Sequence, residues 1–479
     1  MCKDQNLRKT LLAAALSMAI LHPGQSIAND LPVIGNSSSA ISLDQEYQLG
    51  QTWARIFRGS AKEYGDPLTA HYIDELLWSL AATSQLQDHR LELLILDNPT
   101  LNAFAVPGGV IGIHTGLLLG AQNEAELASV IAHELAHLSQ RHYAQRLEEA
   151  RSNKPYLFAA ILASILVGAS NPDAAAAGIS SSVAATQQAN LNFSRRMEQE
   201  ADRIGMQNLV AAEYDPYAMP DMFSRIQRST RFIGQKPPEF LLTHPVTESR
   251  ISDAQNRARQ LPKPAYKKQS FTFDLIRKRL EVDYSKDIRQ SVNTYRASAD
   301  SSPPDRYGLA LALMRNNQFS DAMQELSKLP SNYRNDLYVK LTATEIMLAA
   351  GQTERAVSQL RELDKLYPDS YPVRMTLSRA YTKNRQFEEA ADLLEQLSQN
   401  YPNNSHVWYE LAESYGQSGN TLGVHEARSE YFLLNGIVDK ALQQLDFALR
   451  DQNLNQSDRA RLEQQKKEAE AVRDAIKSL

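Results

Sequence analysis

The sequence predicts a predominantly α chain: an α+β domain built on a metal-site helix and a small β-hairpin, followed by an α-solenoid of paired helices. Three observations carry this. Two short β-prone runs flank Pro107-Gly108-Gly109 between stretches of helical periodicity. The apolar run 130–138 contains His133-Glu134-Leu135-Ala136-His137, two histidines one helical turn apart. Beyond Ser301-Ser302-Pro303-Pro304, small and apolar residues recur at a step of 34 residues.

A chain of 479 residues is long enough for two or three domains. Hydrophobic residues at 43% and charged residues at 22% are ordinary for a globular protein, and a formal net charge of −5 offers no basic surface for nucleic acid. The first residues read as an export signal. Lys3, Arg8 and Lys9 precede an apolar stretch at 11–21, and Ser26-Ile27-Ala28 places small residues where a signal peptidase cuts. Cleavage is expected after Ala28, because the apolar stretch is shorter than the ~20 residues that span a bilayer. Loss of residues 1–28 removes three basic groups and Asp4, a net +2, taking the charge from −5 to −7. Cys2 is the only cysteine and leaves with that segment, outside any lipoprotein cleavage context. The mature chain has no thiol, so disulfides contribute nothing to its stability.

Helices are expected over 43–61 and 68–84, a strand over 91–96 and a hairpin over 102–114. Beside a metal site such a hairpin has two readings. Asn102, Phe104, Pro107, Gly108 and Gly109 form a strand and turn that pair with an extended substrate through the backbone, or the hairpin only stabilises the domain.

Asn123 followed by Glu126 signals the start of the metal-site helix, and Leu127, Val130, Ile131, Leu135 and Leu138 form its buried stripe. On a helix His133 and His137 stand about 40° apart around the axis, which suits two imidazoles sharing one zinc. Glu134, beside them, can take a proton from an attacking water and hand it to a leaving amine, the chemistry of peptide hydrolysis. An unpaired acid in so apolar a segment is costly without such a task. Hydrolytic zinc needs a third protein ligand. His142 falls on another face, and the extended three-histidine pattern wants Gly at 140 and His at 143, where the chain has Gln140 and Tyr143. The better source is Arg195-Arg196-Met197-Glu198-Gln199-Glu200-Ala201-Asp202. There Glu198 and Asp202 share a helical face, giving a ligand and a carboxylate to orient an imidazole through its second nitrogen, while Glu200 points largely the other way.

Residues 155–167 are apolar nearly all round and too short to span a membrane. They read as a covering loop, with core burial as the rival and peripheral membrane contact left open.

The hairpin, the His-Glu-x-x-His helix, the Glu198-x-x-x-Asp202 helix and Leu242-Thr243-His244-Pro245-Val246-Thr247-Glu248-Ser249-Arg250 together resemble the M48 family of metallopeptidases, in that family's order and approximate spacing. The resemblance implies a zincin-type fold with one zinc per chain on His133, His137 and Glu198, Glu134 as general base and Asp202 behind a ligating imidazole. His244 has two open roles, oxyanion donor or fourth ligand that closes the site; Arg250 is an oxyanion donor or an anchor.

From residue 261 Pro262, Pro264 and Lys267-Lys268 mark a polar connection, followed by a helical stretch with Leu275, Ile276 and Leu280. Ala322, Ala356 and Ala390 then align at the 34-residue step, as do Ala312, Ile346 and Ala380, and Val339, Val373 and Val407. This is the tetratricopeptide period. About four repeats are expected, closed by a charged helix over 458–479. The organisation expected is a removed signal peptide (1–28), a metallopeptidase domain (29–265), a helical linker (266–305) and a repeat domain with a capping helix (306–479).

An exported zinc endopeptidase whose repeats dock clients joins both halves. By resemblance it is periplasmic, its clients are unfolded or misassembled outer-membrane β-barrel proteins or stalled intermediates, and its docking partner is the outer-membrane β-barrel assembly machinery. Two rivals are a chaperone or scaffold whose zinc is closed, and a processing peptidase with one dedicated substrate.

Overall fold

The computed structural model describes residues 41–146, 195–232, 239–261 and 270–478. The expected leader and the apolar stretch at 155–167 lie outside them. Two capped helices come first. The Ser42 hydroxyl accepts from the Gln45 N–H while the Gln45 side chain accepts from the Ser42 N–H, starting α1 (Leu43–Ser60). Asp66 caps α2 (Pro67–Ala81), whose first residue is a proline.

Three strands follow: β1 (Glu92–Leu96), β2 (Ala103–Val106) and β3 (Val110–His114). β2 and β3 form an antiparallel hairpin, and β1 joins β3 in parallel, giving the order β1-β3-β2. The turn needs its glycines: Gly108 and Gly109 have φ of +81° and +82°, and a Cβ on Gly108 would lie 2.3 Å from the Glu46 carbonyl oxygen of α1. Side chains alternate across the sheet. Leu94, Leu96, Phe104, Val106 and Val110 pack with Trp53 and Phe57 of α1 on one face. Ile95, Ala103, Ala105, Ile111 and Ile113 face the main core on the other.

The short α3 (Thr115–Gly120) leads into α4 (Glu124–Ser139), which is buried from Glu126 to His137. Asn123 accepts from the Glu126 N–H, and the Glu126 carboxylate accepts from the Gln122 N–H and from Arg225 through a two-pronged pair. Then come α5 (Arg195–Ala211), α6 (Ala218–Phe232), α7 (Glu239–Thr243) and α8 (Glu248–Gln260).

Two helices, α9 (Phe271–Asp283) and α10 (Ile288–Ser298), occupy the expected linker. They are no passive connection. Phe273, Leu275, Ile276 and Leu280 of α9 lie in one continuous core with Ile73 of α2, Leu117 of α3 and Tyr307 of the repeats.

The repeats are paired antiparallel helices: α11 (Pro303–Arg315) with α12 (Phe319–Ser327), then, after the single turn α13 (Ser331–Arg334), α14 (Leu337–Ala349) with α15 (Thr353–Leu366). α16 (Tyr371–Lys383) pairs with α17 (Phe387–Asn400), and α18 (Ser405–Ser418) with α19 (Thr421–Leu434). The out-of-step α20 (Val438–Leu449) packs with the long charged α21 (Gln456–Ser478), which closes the array. Ala322, Ala356 and Ala390 are fully buried, as close helix approach requires. A backbone feature repeats in the same register. Asn317, Gly351, Arg385 and Gly419 all adopt left-handed φ at the turn within a pair. The next N–H closes each turn on a carbonyl five residues back, as from Gln386 to Tyr381 at 2.9 Å.

The array touches the peptidase half repeatedly. Arg279 of α9 pairs with Asp66 at the start of α2 (2.7 Å) and with Glu345 of α14 (2.9 Å). Ser405 donates to Glu63 at 2.8 Å. At the far end, a Cβ on Gly59 of α1 would lie 2.4 Å from the Asn435 carbonyl oxygen, so only glycine lets the α19–α20 turn seat on α1. Among the described residues no helix is long and apolar enough to cross a membrane.

Candidate metal centre

Small residues let α4 and α5 approach closely enough to share a site. Ala136 and Ala201 are packed together, and a Cβ on Gly205 would lie 3.0 Å from the Ala132 carbonyl oxygen. Across this seam α4 presents His133, Glu134 and His137, and α5 presents Glu198 and Asp202. The α7–α8 connection adds His244, whose N–H closes α7 on the Phe240 carbonyl at 2.8 Å, and Arg250 in the first turn of α8.

One donor atom from each of His133, His137, Glu198 and His244 lies within 4.8 Å of the others, and all four residues are buried. The His133 and His137 Nε2 atoms are 3.1 Å apart, and His244 Nδ1 is 3.4 Å from His133 Nε2 and 2.9 Å from Glu198 Oε1. Glu198 lies 3.6 Å from His133 Nε2 and 3.5 Å from His137 Nε2. Three imidazole nitrogens turned on one point cannot all satisfy one another by hydrogen bonds; a single cation among them can.

The surrounding groups hold these donors. Asp202 Oδ1 is 3.0 Å from His133 Nδ1. Arg250 donates to Asp202 through Nε (2.8 Å) and Nη2 (2.7 Å) and to the Pro245 carbonyl through Nη1 (2.9 Å), with Nη1 also 2.7 Å from Glu198 Oε2. Its fork is committed to carboxylates and backbone. Phe240 stacks on the His244 ring with centroids 4.9 Å apart, and the Arg250 guanidinium lies 4.9 Å over Phe223.

Burial dominates the electrostatics. It pushes the Glu134 carboxyl above the usual carboxylate range, partly opposed by the neighbouring histidines and a backbone hydrogen bond from Ala105. It drives His137 well below the ordinary imidazole value, helped by His133 and His244. Burial would also raise Glu198, but His244 and Arg250 hold it below its ordinary value. Burial disfavours the His244 cation, yet Glu198 and Glu134 together raise its pKa. Arg250 outweighs burial at Asp202 and holds that carboxyl low.

The site residues expected from the sequence converge here, apart from those of the hairpin. Asn102 accepts from the His114 N–H at 3.1 Å, and Phe104 pairs with Gly112, so in the antiparallel alternation both turn their backbone groups toward β3. The Phe104 ring sits over Gly112 in the aromatic cluster with Trp53 and Phe57. Pro107, Gly108 and Gly109 seat the turn on α1. The backbone groups of Ala103 and Ala105 turn away from β3, and Glu134 takes a backbone hydrogen bond from Ala105.

His142, which the sequence places on another face than the ligands, lies behind His137, its Nδ1 3.0 Å from that ring's Nδ1. Spacing alone hides this, because α4 ends at Ser139 and the chain doubles back at Arg141, φ +52°.

A His-Glu-x-x-His helix facing an acidic ligand helix, with a buried set of three histidines and a carboxylate, defines a metallopeptidase. Residues 67–258 match peptidase family M48, and residues 347–420 match the tetratricopeptide repeat. The chain is 34% identical over 358 residues to the β-barrel assembly-enhancing protease of Escherichia coli O157:H7, covering 74% of this chain and 73% of that one. The protein of the same name from Yersinia pestis is 34% identical over 369 residues, 73% of each chain. The mitochondrial metalloendopeptidase OMA1 of Schizosaccharomyces pombe is 32% identical over 217 residues, 44% of this chain and 60% of that one. The chain belongs to peptidase family M48 and carries C-terminal tetratricopeptide repeats.

Proposed function

We propose that the chain is an exported zinc endopeptidase that cuts misassembled outer-membrane β-barrel proteins or stalled assembly intermediates. Zinc is held by His133, His137 and Glu198, and His244 closes the site at rest. The observation that carries this is the buried donor cluster around an acid, Glu134, that no ligand geometry requires. A nitrogen-rich set with one carboxylate suits zinc better than calcium or magnesium, which favour oxygen.

A bound cation supplies Lewis acidity, polarising the scissile carbonyl and acidifying water. Glu134 accepts the proton of the attacking water and delivers it to the departing amide nitrogen. An extended client pairs through its backbone with the hairpin beside the site, with little regard for its side chains. Asp202 accepts from His133 Nδ1 and holds that ring, and Arg250 anchors Asp202, Glu198 and Pro245 rather than serving the oxyanion.

Residues 1–28 act as a removed leader to the periplasm, and the repeats dock the clients or the β-barrel assembly machinery. The enterobacterial relatives named for enhancing β-barrel assembly support this choice of client. A second reading has its own support: with His244 Nδ1 among the donors the protein supplies four ligands, as in a closed zinc site on a chaperone or scaffold.

Zinc content and cleavage of an unfolded β-barrel protein, measured on wild type, Glu134→Gln and His244→Ala, test the proposal. Expected are one zinc in each, weak cleavage by wild type, none by Glu134→Gln and faster cleavage by His244→Ala. Zinc without cleavage in all three supports the closed-site reading; cleavage that survives loss of Glu134 overturns the peptidase mechanism.

A further inference from the structure

We infer that His142 and Glu200 form a relay that sets the tautomer and orientation of His137 as a zinc ligand. This rests on the reading of the cluster as a zinc centre. The His137 ring turns Nε2 to the cluster, 3.1 Å from His133 Nε2, and Nδ1 to His142 Nδ1 at 3.0 Å. A coordinating nitrogen carries no proton, so neutral His137 carries its proton on Nδ1 and donates it to His142 Nδ1. His142 then accepts at Nδ1 and keeps its own proton on Nε2, which lies 3.5 Å from Glu200 Oε2. The carboxylate at the end of this chain makes each imidazole in turn a better acceptor, and makes His137 Nε2 a stronger ligand.

The arrangement parallels the one at the other ligand, where Asp202 meets His133 Nδ1 directly at 3.0 Å. At His137 the carboxylate acts through one intervening ring. His142 meets the cluster only at the far nitrogen of His137 and acts through that ring; it is a positioning residue.

The backbone is bent to place it. Arg141 is a non-glycine residue with φ +52°, a conformation costing about 1–2 kcal/mol, and the turn it makes brings His142 back beside His137. The Arg141 side chain is tied to the start of the fold, donating to Glu46 Oε1 from Nε at 2.8 Å and to the Ile41 carbonyl from Nη2 at 2.6 Å.

The test is zinc affinity of the full chain, by competition with a chromophoric chelator, beside thermal melting of the zinc-free protein. His142→Leu is expected to weaken zinc binding about 10- to 100-fold. His142→Asn, which keeps an acceptor near the Nδ1 position, should recover most of that loss. Glu200→Gln, at the partly exposed end of the relay, should weaken binding by a smaller factor without lowering the zinc-free melting temperature. Affinity equal to wild type in His142→Leu and Glu200→Gln, or a loss in His142→Asn as large as in His142→Leu, overturns the relay while leaving the zinc centre standing. A wild type that takes up no zinc in the same titration overturns the centre itself, and the relay with it.

Discussion

Removing Arg279 tests whether the repeats and the peptidase half are one thermodynamic body. Its guanidinium donates to Asp66 from Nη2 (2.7 Å) and Nε (3.2 Å), and to Glu345 from Nη1 (2.9 Å) and Nη2 (3.0 Å), with further bonds to Thr342 and Tyr307. Arg279→Met fills the space and strands two carboxylates at a largely buried junction, a loss of about 3–5 kcal/mol. At roughly 2.1 cal/mol/K per residue, unfolding the described residues carries about 0.8 kcal/mol/K, so the zinc-free melting temperature should fall by about 4–6 °C. Burial alone would raise Asp66, but Arg279 holds it below its ordinary value. Its contribution is therefore complete above the unfolded carboxylate pKa of about 3.9 and is lost as pH falls through the lower folded value. The gap between variant and wild type should stay constant near neutrality and narrow in acid. Calorimetry of wild type, Arg279→Met and Arg279→Met/Asp66→Asn/Glu345→Gln checks the cause, since the triple variant strands no charge and should regain part of the loss. A single variant within about 1 kcal/mol of wild type, or a triple variant less stable than the single, would refute the account.

Three other outcomes follow from the geometry. Burial raises Glu134 in the folded chain, so its ionisation disfavours folding as pH rises through the unfolded value toward the folded one; zinc-free Glu134→Gln should melt above wild type at pH 7 and close to it near pH 4. Gly205→Val forces a side chain against the Ala132 carbonyl and lifts α5 from α4, at about 1–3 kcal/mol, and should loosen zinc binding in a chelator competition assay. Arg385→Gly relieves an exposed left-handed residue where the equivalent turns use Gly351 and Gly419, and should stabilise the chain by about 1 kcal/mol in denaturant titration.

Local chemistry was readable wherever one segment carries its own reason. Asn123 and Glu126 announce α4, Pro107-Gly108-Gly109 announces the hairpin, and buried alanines at 322, 356 and 390 announce the paired helices. Which side chains of one helix share a face was also legible, His133 with His137 and Glu198 with Asp202, while the meeting of the two helices followed from the resemblance to the M48 family. Features that depend on distant segments were hidden. Nothing in 91–96 says that β1 lies against β3 rather than β2, since parallel pairing is set by what packs on the sheet. The linker helices carried no sign that Leu275 and Ile276 complete a core shared with Ile73. His142 was hidden by a backbone reversal at an arginine, where a glycine or asparagine would have signalled it.

The seating of the α19–α20 turn on α1 changes how the repeats can come apart. A free solenoid frays from its ends, because each terminal unit has one neighbour and opening can spread inward a unit at a time. Here the last units find their missing neighbour at the beginning of the fold: Gly59 meets Asn435, Gly436 meets Arg55, and α21 packs on α1. The array is closed like a ring. Amide hydrogen exchange should slow to a nearly uniform rate across α11 to α20, where an open array would show a gradient from its free end.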